Sequence, residues 1–395
     1  MGKIRESKLL IYAFFQIMFL AIARSIIGPL IPLISGELNI GLDFIGSAIA
    51  LSIFALFFVS LTAGNLIEII GLKKVLFIGL GINFTGSILL FFSNTFSMFI
   101  LAYFLMELGV GMLVIGNLSI AGNLYPTRKA SSLLKINFGN TLAFIISPLL
   151  VSLILYINID WRYYYIIHLI PLIILVIILS RIDIPWHIKA DTSLQSLFSA
   201  NKKIIKNPAF ILCGIIIFFY VPVMNTFYVW FTSYFTSLKI GLDVSSLFLS
   251  IYGVSIFFGM LLRNKLFKHF KKKRLLFFSF IISFFLLIGV LFIENLFAKN
   301  ILIFLFGISV AGNFTITFSI SAELFPKYTN TASGLTVAFG NLGIMIFQYV
   351  SGYMSEYYSR NSVLYINISI LFILIIATAF LNYHKKFSRI SLDLE

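Results

Sequence analysis

Apolar residues in this chain fall in long blocks, in contrast to the one-faced stripes of amphipathic helices in soluble proteins. Residues 9–33 form one block that a single arginine interrupts, and residues 275–293 form another that contains no charged residue. A helical run of about 18 or more apolar residues is long enough to cross the roughly 30 Å hydrocarbon core of a bilayer. The pattern therefore predicts membrane-spanning helices along the whole chain.

The hydropathy blocks predict twelve spans, with turn-forming residues such as Ser35 and Gly36 at the joints. The first block is too long for the core of a cleaved signal peptide, so we expect it to be the first span. The predicted fold class is an all-α integral membrane protein with twelve transmembrane helices. The spans, numbered one to twelve in chain order, are 9–33, 44–67, 75–93, 97–119, 136–157, 164–180, 208–232, 245–262, 275–293, 300–322, 332–354 and 363–382.

The basic residues are distributed unevenly across this predicted topology. Segments on the N-terminal side of the membrane carry 24 of the 29 Lys and Arg residues, the opposite side carries four, and Arg24 lies inside span one. Cytoplasmic loops of membrane proteins are enriched in Lys and Arg. Both termini are therefore predicted to be cytoplasmic, with the chain in the cell membrane. The same distribution accounts for the net charge of +15, so we expect no nucleic-acid partner.

Composition excludes several other classes. The chain is 60% hydrophobic and 11% charged, and a soluble domain carries roughly twice that charged fraction. Cys213 is the only cysteine and the four histidines are scattered, so we expect no disulfide, no metal and no cofactor. The sequence has no Gly-x-x-x-x-Gly-Lys phosphate loop and no clustered nucleophile. Neither an ATP-driven pump nor an enzyme is predicted.

A weak internal repeat divides the chain near its middle. Three matched segments recur in the same order at offsets of 196, 200 and 201 residues: 111–117 with 307–313, 123–126 with 323–326, and 138–140 with 339–341. Offsets close to half the chain length indicate a duplicated unit. We therefore predict two pseudo-symmetric six-helix bundles, at 1–180 and 208–395, joined by a cytoplasmic linker at 181–207. Parallel halves of this kind are typical of transporters that bind substrate near the membrane midplane.

The loop after span two carries a recognisable pattern: Gly64, Leu66, Glu68, Gly71, Lys73 and Lys74. It resembles the signature loop of the major facilitator superfamily, which usually has Asp where this chain has Glu68. An acid at a helix end can pair with basic loop groups or cap a neighbouring helix N-terminus. The resemblance thus implies a conformational latch formed by Gly64, Glu68, Gly71, Lys73 and Lys74. The equivalent loop at 264–273 lacks the glycines and the acid, so the latch is predicted to be one-sided.

Further segments are similar to the same superfamily, with two departures. Asp160, Trp161 and Arg162 resemble its Trp-Arg pair before span six, and residues 323–326 resemble its sequence after span ten. The family's span-four arginine is replaced by Leu105, which weakens the expectation of proton coupling. The Gly-Pro pair of span five is replaced by Ser147-Pro148, which argues against the antiporter branch. The resemblance implies that spans one, four, seven and ten line a central cavity, and we expect a monomer.

Two charged residues, Arg24 in span one and Glu107 in span four, lie deep within predicted spans. Charges at this depth cost about 2.5–3.5 kcal/mol each on the insertion scale, so they require a reason. Arg24 is placed like the span-one arginine of superfamily members that carry organic anions, and a guanidinium grips carboxylates or phosphates bidentately. Glu107 is a candidate proton carrier, because burial favours its neutral form and Arg24 its charged form. The alternative is that the two simply pair and hold two helices together.

Polar residues at mid-span are the remaining candidates for substrate binding. Asn117 and Asn313 are related by the repeat, and Asn225 in span seven has the aromatic neighbours Tyr220, Tyr228 and Trp230. Amides with aromatic neighbours suit a sugar or an amphiphile. The alternative for each is an interhelical hydrogen bond.

These observations predict a secondary transporter that moves a small solute by alternating access, two bundles rocking about a midplane site. The substrate class stays open between an organic anion or other metabolite with proton coupling, a sugar, and an effluxed amphiphilic drug-like compound. Arg24 favours the first of these and the abundant aromatic residues favour the last. A channel or a non-transporting receptor is the alternative outside the transporter class. The expected partners are a small-molecule substrate, protons and the lipid bilayer.

Overall fold

The computed structural model describes residues 2–124, 129–184, 204–266, 270–325 and 329–383. The regular structure in these segments is α-helical, and short turns and loops connect the helices. Helices suit a membrane because their backbone polar groups find partners within the helix itself. The helices are Gly2–Ser25, Ile27–Leu38, Leu42–Ile70, Leu72–Phe91, Phe96–Leu124, Lys129–Tyr156, Tyr163–Arg181, Pro208–Ser237, Leu242–Leu266, Lys272–Phe292, Leu296–Val310, Asn313–Glu323, Thr329–Tyr357 and Ser362–Tyr383.

Twelve helical stretches of the described chain are long and apolar enough to cross a membrane, which confirms the predicted number of spans. Span one is longer than predicted and runs from Lys8 to Leu38. Ser35 and Gly36, predicted as a joint, instead form the last helical turn. The helix ends at Asn39, whose left-handed conformation (φ 50°) lets its N–H and that of Ile40 bond back to the final carbonyls.

The chain divides into two compact units. The first comprises Met1–Ala190 together with Phe231–Ser250, and the second comprises Asp191–Trp230 together with Ile251–Glu395. Most of the predicted linker, residues 185–203, lies outside the described residues. The predicted division into bundles at 1–180 and 208–395, joined by a linker at 181–207, stays a prediction.

Close helix contacts in each unit depend on glycines. In the first unit, a Cβ at Gly109 would lie 2.7 Å from the backbone nitrogen of Asn83 and from the carbonyl oxygen of Gly79. In the second, a Cβ at Gly259 would lie 2.6 Å from the carbonyl oxygen of Ile308. Spans three and four, and spans eight and ten, therefore touch backbone to backbone, the form of packing that small residues permit in membranes.

Two spans are interrupted. In span one a helix ends at Ser25 and the next begins at Ile27. Pro29 lies four residues after Ser25 and has no N–H to donate to the Ser25 carbonyl, so a continuous helix would lack this hydrogen bond. In span ten a helix ends at Val310 and the next begins at Asn313. Gly312 between them has φ 77°, a left-handed value that side-chain-bearing residues rarely adopt. These breaks position the polar groups described next.

Candidate functional site

Arg24 and Glu107, the two deep charges expected from the sequence, meet in the first unit. The Arg24 Nε lies 2.9 Å from Glu107 Oε1, which joins the end of the first helix of span one to span four. The Glu107 side chain is fully buried, whereas 27% of the Arg24 side chain is exposed. The geometry is therefore asymmetric: the acid is enclosed by protein, and the guanidinium is partly accessible.

Two buried tyrosines interact with this ion pair. Tyr103 precedes Glu107 by one helical turn, is buried, and interacts electrostatically with both members of the pair. Tyr165 of span six is fully buried and interacts with Tyr103 and Glu107. One turn further along span six, the His168 ring stacks on Tyr164, with centroids 6.0 Å apart. Neither the Tyr165 hydroxyl nor His168 Nε2 has a hydrogen-bond partner among the described residues.

Tyr103 and Tyr165 are not among the residues predicted from the sequence. The signal for Tyr103 was its spacing of four residues from Glu107, which places both side chains on one helix face. No comparable sequence signal points to Tyr165, because its neighbours come from a different span. The cluster of Arg24, Tyr103, Glu107 and Tyr165 is the ion-pair site.

The break in span one beside Arg24 is held by hydroxyl groups. The Ile22 carbonyl accepts the Ile26 N–H at 3.2 Å and also the Ser147 hydroxyl at 3.2 Å. Pro32 has no N–H to offer the Gly28 carbonyl, and the Thr232 hydroxyl donates to it at 3.2 Å. Both contacts lie within the first unit. The sequence singled out Ser147 only because it replaces the glycine of a Gly-Pro pair. In the structure its hydroxyl connects span five to the break in span one.

The mid-span amides fall in different settings. Asn117 is buried ten residues beyond Glu107, about 15 Å along the helix, so it does not adjoin the ion pair. Neither of its amide atoms has a hydrogen-bond partner in the described chain. Asn313 is buried in the second unit, and its amide exchanges hydrogen bonds with the Ser279 hydroxyl of span nine at 2.9 and 3.1 Å. Asn313, the repeat-related counterpart of Asn117, therefore forms a contact between spans nine and ten.

The aromatic set around Asn225 is largely engaged in packing. Asn225 is half-buried and shares a helix face with buried Tyr228. The Trp230 Nε1 donates to Gln348 at 2.8 Å, and the Tyr220 hydroxyl donates to the Val310 carbonyl at 2.9 Å. Two of the three aromatic residues expected near a solute thus bind protein groups within the second unit.

The predicted latch is described in part. Gly64 and Glu68 lie in the helix Leu42–Ile70, but their side-chain surroundings are outside the described residues. Gly71 separates spans two and three with φ 88°, and its N–H donates to the Ile67 carbonyl at 2.9 Å. Lys73 Nζ donates to the Ser180 carbonyl, 3.0 Å away at the end of span six, and Lys74 is exposed. A lysine at a helix C-terminus meets the negative end of the helix dipole.

The Trp-Arg pair before span six forms a polar network on the opposite side of the predicted topology. Arg162 Nη1 lies 2.8 Å from Glu37 Oε2 and 3.1 Å from Asp160 Oδ2. Trp161 Nε1 donates to Glu37 at 3.0 Å, and Arg162 Nε donates to the Ser93 carbonyl at 3.0 Å. The network joins the end of span one to the loops before spans four and six.

Arg263 is a further buried charge, at a position that the hydropathy pattern assigned to a loop. It lies in the helix Leu242–Leu266 and is 5% exposed. Its Nε donates to the Ala311 carbonyl at 3.1 Å and its Nη2 to the Ser309 carbonyl at 2.7 Å. With Tyr220 on the Val310 carbonyl, three successive carbonyls at the span-ten break have side-chain donors. Within the described chain, no group of three or more potential metal ligands occurs.

Comparison with known proteins identifies the family. The profile of the Major Facilitator Superfamily matches residues 13–347. No curated protein has a significantly similar sequence. Among solved structures, the nucleoside transporter NupG superposes with a TM-score of 0.75 at 17% identity, covering 96% of this chain and 100% of that one.

Two further structures show the same fold. A D-xylose-proton symporter superposes with a TM-score of 0.78 at 14% identity, covering 94% of this chain and 96% of that one. A bacterial homologue of the human lysosomal transporter Spinster, inward-facing and unoccupied, gives 0.74 at 16% identity, with 98% of both chains covered. Identities this low show a shared fold only. With the family profile matching most of its length, the chain belongs to the major facilitator superfamily of membrane transporters.

Proposed function

We propose that this transporter carries a small organic anion together with a proton, by alternating access. The observation that supports the proposal is the Arg24–Glu107 ion pair, in which the acid is fully buried and the guanidinium is 27% exposed. A partly accessible guanidinium can exchange one carboxylate for another, because its planar donors fit carboxylates and phosphates bidentately. The substrate anion would therefore compete with Glu107 for Arg24.

Proton coupling follows from the burial of Glu107. When the substrate takes Arg24, Glu107 loses its charged partner but stays enclosed by protein. An unpaired buried charge costs several kcal/mol, so Glu107 binds a proton in the same step. One proton then moves with each anion, and transport of a monovalent anion carries no net charge. Its uptake should respond to a pH gradient and not to the membrane potential.

The neutral-solute alternative has less support from the described contacts. D-xylose and nucleosides are named for two structurally similar transporters, and both are neutral solutes. A neutral polyol would rely on amides and aromatic residues, but Trp230 and Tyr220 already bind protein groups. The anion therefore stays the favoured substrate class.

The experiment begins with a thermal-shift screen of the purified protein against organic carboxylates and phosphates, with D-xylose and uridine as neutral comparators. An anion that stabilises the protein is then tested for uptake into proteoliposomes, with an imposed pH gradient and the potential clamped at zero. Saturable, gradient-driven accumulation is the expected result. Stabilisation by neutral solutes alone, or uptake that does not saturate, would contradict the proposal; the second outcome would favour a channel.

Variants separate anion binding from proton coupling. Arg24→Gln should lose stabilisation by the anion. Glu107→Gln resembles the protonated acid, so it should retain binding and exchange of the anion but lose accumulation driven by the pH gradient. Glu37→Gln is the matched control, because it neutralises another arginine-paired acid outside the ion-pair site and should keep coupling. Gradient-driven accumulation by Glu107→Gln would rule out the coupling role.

We also propose that the protein works as a monomer in the cell membrane with both termini cytoplasmic. The asymmetry of basic residues supports the orientation. Light scattering of the purified protein tests the oligomeric state, and a stable dimer would contradict it.

A further inference from the structure

A membrane-facing crevice lies in the second unit, away from the ion-pair site. It is bounded by spans eight, nine and ten and has a volume of about 320 Å³. Its walls are almost wholly apolar, and several of the side chains are about half exposed: Leu262, Phe278, Ile282 and Leu305. On a chain that crosses a bilayer, such exposed apolar side chains face lipid. A polar solute would find few hydrogen-bonding groups in this crevice.

The crevice has the length of one bilayer leaflet. Its lining along span nine extends from Leu275 to Leu286. Eleven residues of helix rise about 16 Å, which is roughly half of the 30 Å hydrocarbon core. The volume is at the lower end of the range of about 300–1,000 Å³ for small-molecule sites. These dimensions suit a narrow apolar chain lying along the helices.

Basic residues flank one end of the crevice. Leu275 and Leu266 line that end, and three exposed basic residues lie close to them in the chain. Arg274 directly precedes Leu275, Lys265 directly precedes Leu266, and Lys271 lies four residues before Leu275. This is the side predicted to be cytoplasmic, where anionic lipid headgroups attract Lys and Arg.

Buried Arg263 adds a fixed positive charge to the crevice wall. The carbonyls of Ser309 and Ala311 hold its Nη2 and Nε. The apolar groove is therefore lined by one buried guanidinium, and three exposed basic residues lie close in sequence to the lining at the same end.

We propose that this crevice binds one anionic phospholipid of the predicted cytoplasmic leaflet. An acyl chain lies along span nine between Leu275 and Leu286, and the phosphate headgroup lies against Lys265, Lys271 and Arg274. Charge complementarity selects the headgroup, since basic pockets between transmembrane helices on the cytoplasmic side bind anionic headgroups. The leaflet-length apolar groove selects a lipid over a free phosphate. The site is independent of the proposed anion transport.

Native mass spectrometry of the full chain in detergent tests the site, with phosphatidylglycerol and phosphatidylcholine of identical acyl chains as probes. Phosphatidylglycerol should be retained preferentially, with one copy surviving at low collision energy. The variant Lys265→Gln/Lys271→Gln/Arg274→Gln should lower this preference by on the order of 100-fold, at about 1 kcal/mol per basic residue. Equal retention of the two lipids by the unmodified protein would overturn the proposal, as would retention of inorganic phosphate in place of the lipid.

A matched control removes the same charge elsewhere on the predicted cytoplasmic side. Lys8, Lys135 and Lys206 are also exposed, and neutralising all three by Gln should leave the preference unchanged. An equal loss in this control would reduce the effect to unspecific surface attraction and overturn the site.

The groove itself is tested by filling it. Ile282→Trp should displace the acyl chain and lower phosphatidylglycerol retention, whereas Ile170→Trp on exposed span six should not. Retention unaffected by Ile282→Trp would mean that only the headgroup binds at the surface, and would overturn the crevice as the site. Thermal unfolding of each variant without added lipid confirms that it is folded.

Discussion

The burial of Glu107 makes the stability of an Arg24 variant depend on pH. Arg24→Gln removes the positive charge 2.9 Å from a carboxylate that has no solvent exposure. The folded variant can then keep Glu107 only in its neutral form, because an unpaired charge in this position is more costly than binding a proton. The unfolded chain has no such restriction.

The size of the effect follows from ordinary carboxyl chemistry. Protonating a glutamate with a pKa of about 4.3 costs about 3.7 kcal/mol at pH 7 and about 1 kcal/mol at pH 5, at 1.36 kcal/mol per pH unit. Arg24→Gln should therefore lose up to about 3.7 kcal/mol of stability at pH 7. Near neutral pH only the folded variant binds this proton, so its free energy of unfolding falls as pH rises. The lost stability is regained as pH falls towards about 4.3, where the unfolded chain binds the proton too. A hydrogen bond from the introduced glutamine amide to the carboxyl group would reduce the loss.

Equilibrium unfolding in mixed micelles with SDS measures the effect at pH 7 and pH 5. The double variant Arg24→Gln/Glu107→Gln should remove the pH-dependent part, because no titrating group is left at the site. Arg162→Gln is the control: its partners Glu37 and Asp160 are 35% and 44% exposed in their side chains, so water solvates these carboxylates when the arginine is removed. If Arg24→Gln and the double variant showed the same pH dependence, the reasoning from a buried, charged Glu107 would be wrong.

Two further predictions concern packing and orientation. Gly109→Ala should destabilise the protein by about 1–3 kcal/mol in the same unfolding assay, because its Cβ would meet backbone atoms of span three at 2.7 Å. Gly81→Ala is the control and should be neutral or stabilising, because the space around its Cβ is open. Equal effects of the two substitutions on stability would contradict this packing. In a Cys213→Ser background, a membrane-impermeant thiol reagent applied to intact cells should label Lys239→Cys and leave Lys271→Cys unlabelled. The reverse labelling would invert the predicted topology.

The sequence predicted the spans well because hydropathy reports directly on the cost of placing a residue in hydrocarbon. It also identified both members of the ion pair, since deep charges are rare and need partners. It did not identify Tyr165, whose electrostatic interaction with Glu107 depends on how span six lies relative to span four. Arg263 was misplaced because it follows the predicted end of span eight by one residue, and hydropathy cannot locate a boundary that closely.

Arg263 also explains why two halves of one repeat adopt different conformations. The segments 111–117 and 307–313 match in sequence, yet span four stays helical from Phe96 to Leu124 whereas span ten breaks after Val310. Neither segment contains proline, so the break needs another cause. In the second half, the Arg263 guanidinium and the Tyr220 hydroxyl satisfy the carbonyls of residues 309–311, which removes the main cost of interrupting a helix in lipid. The residue that aligns with Arg263 in the first half, under the 200-residue offset of the loops, is Ala63, which has no donor to offer. Donors from outside the segment, the Arg263 guanidinium together with the Tyr220 hydroxyl, thus accompany the broken helix in a pair of segments that the sequence alone would treat as equivalent.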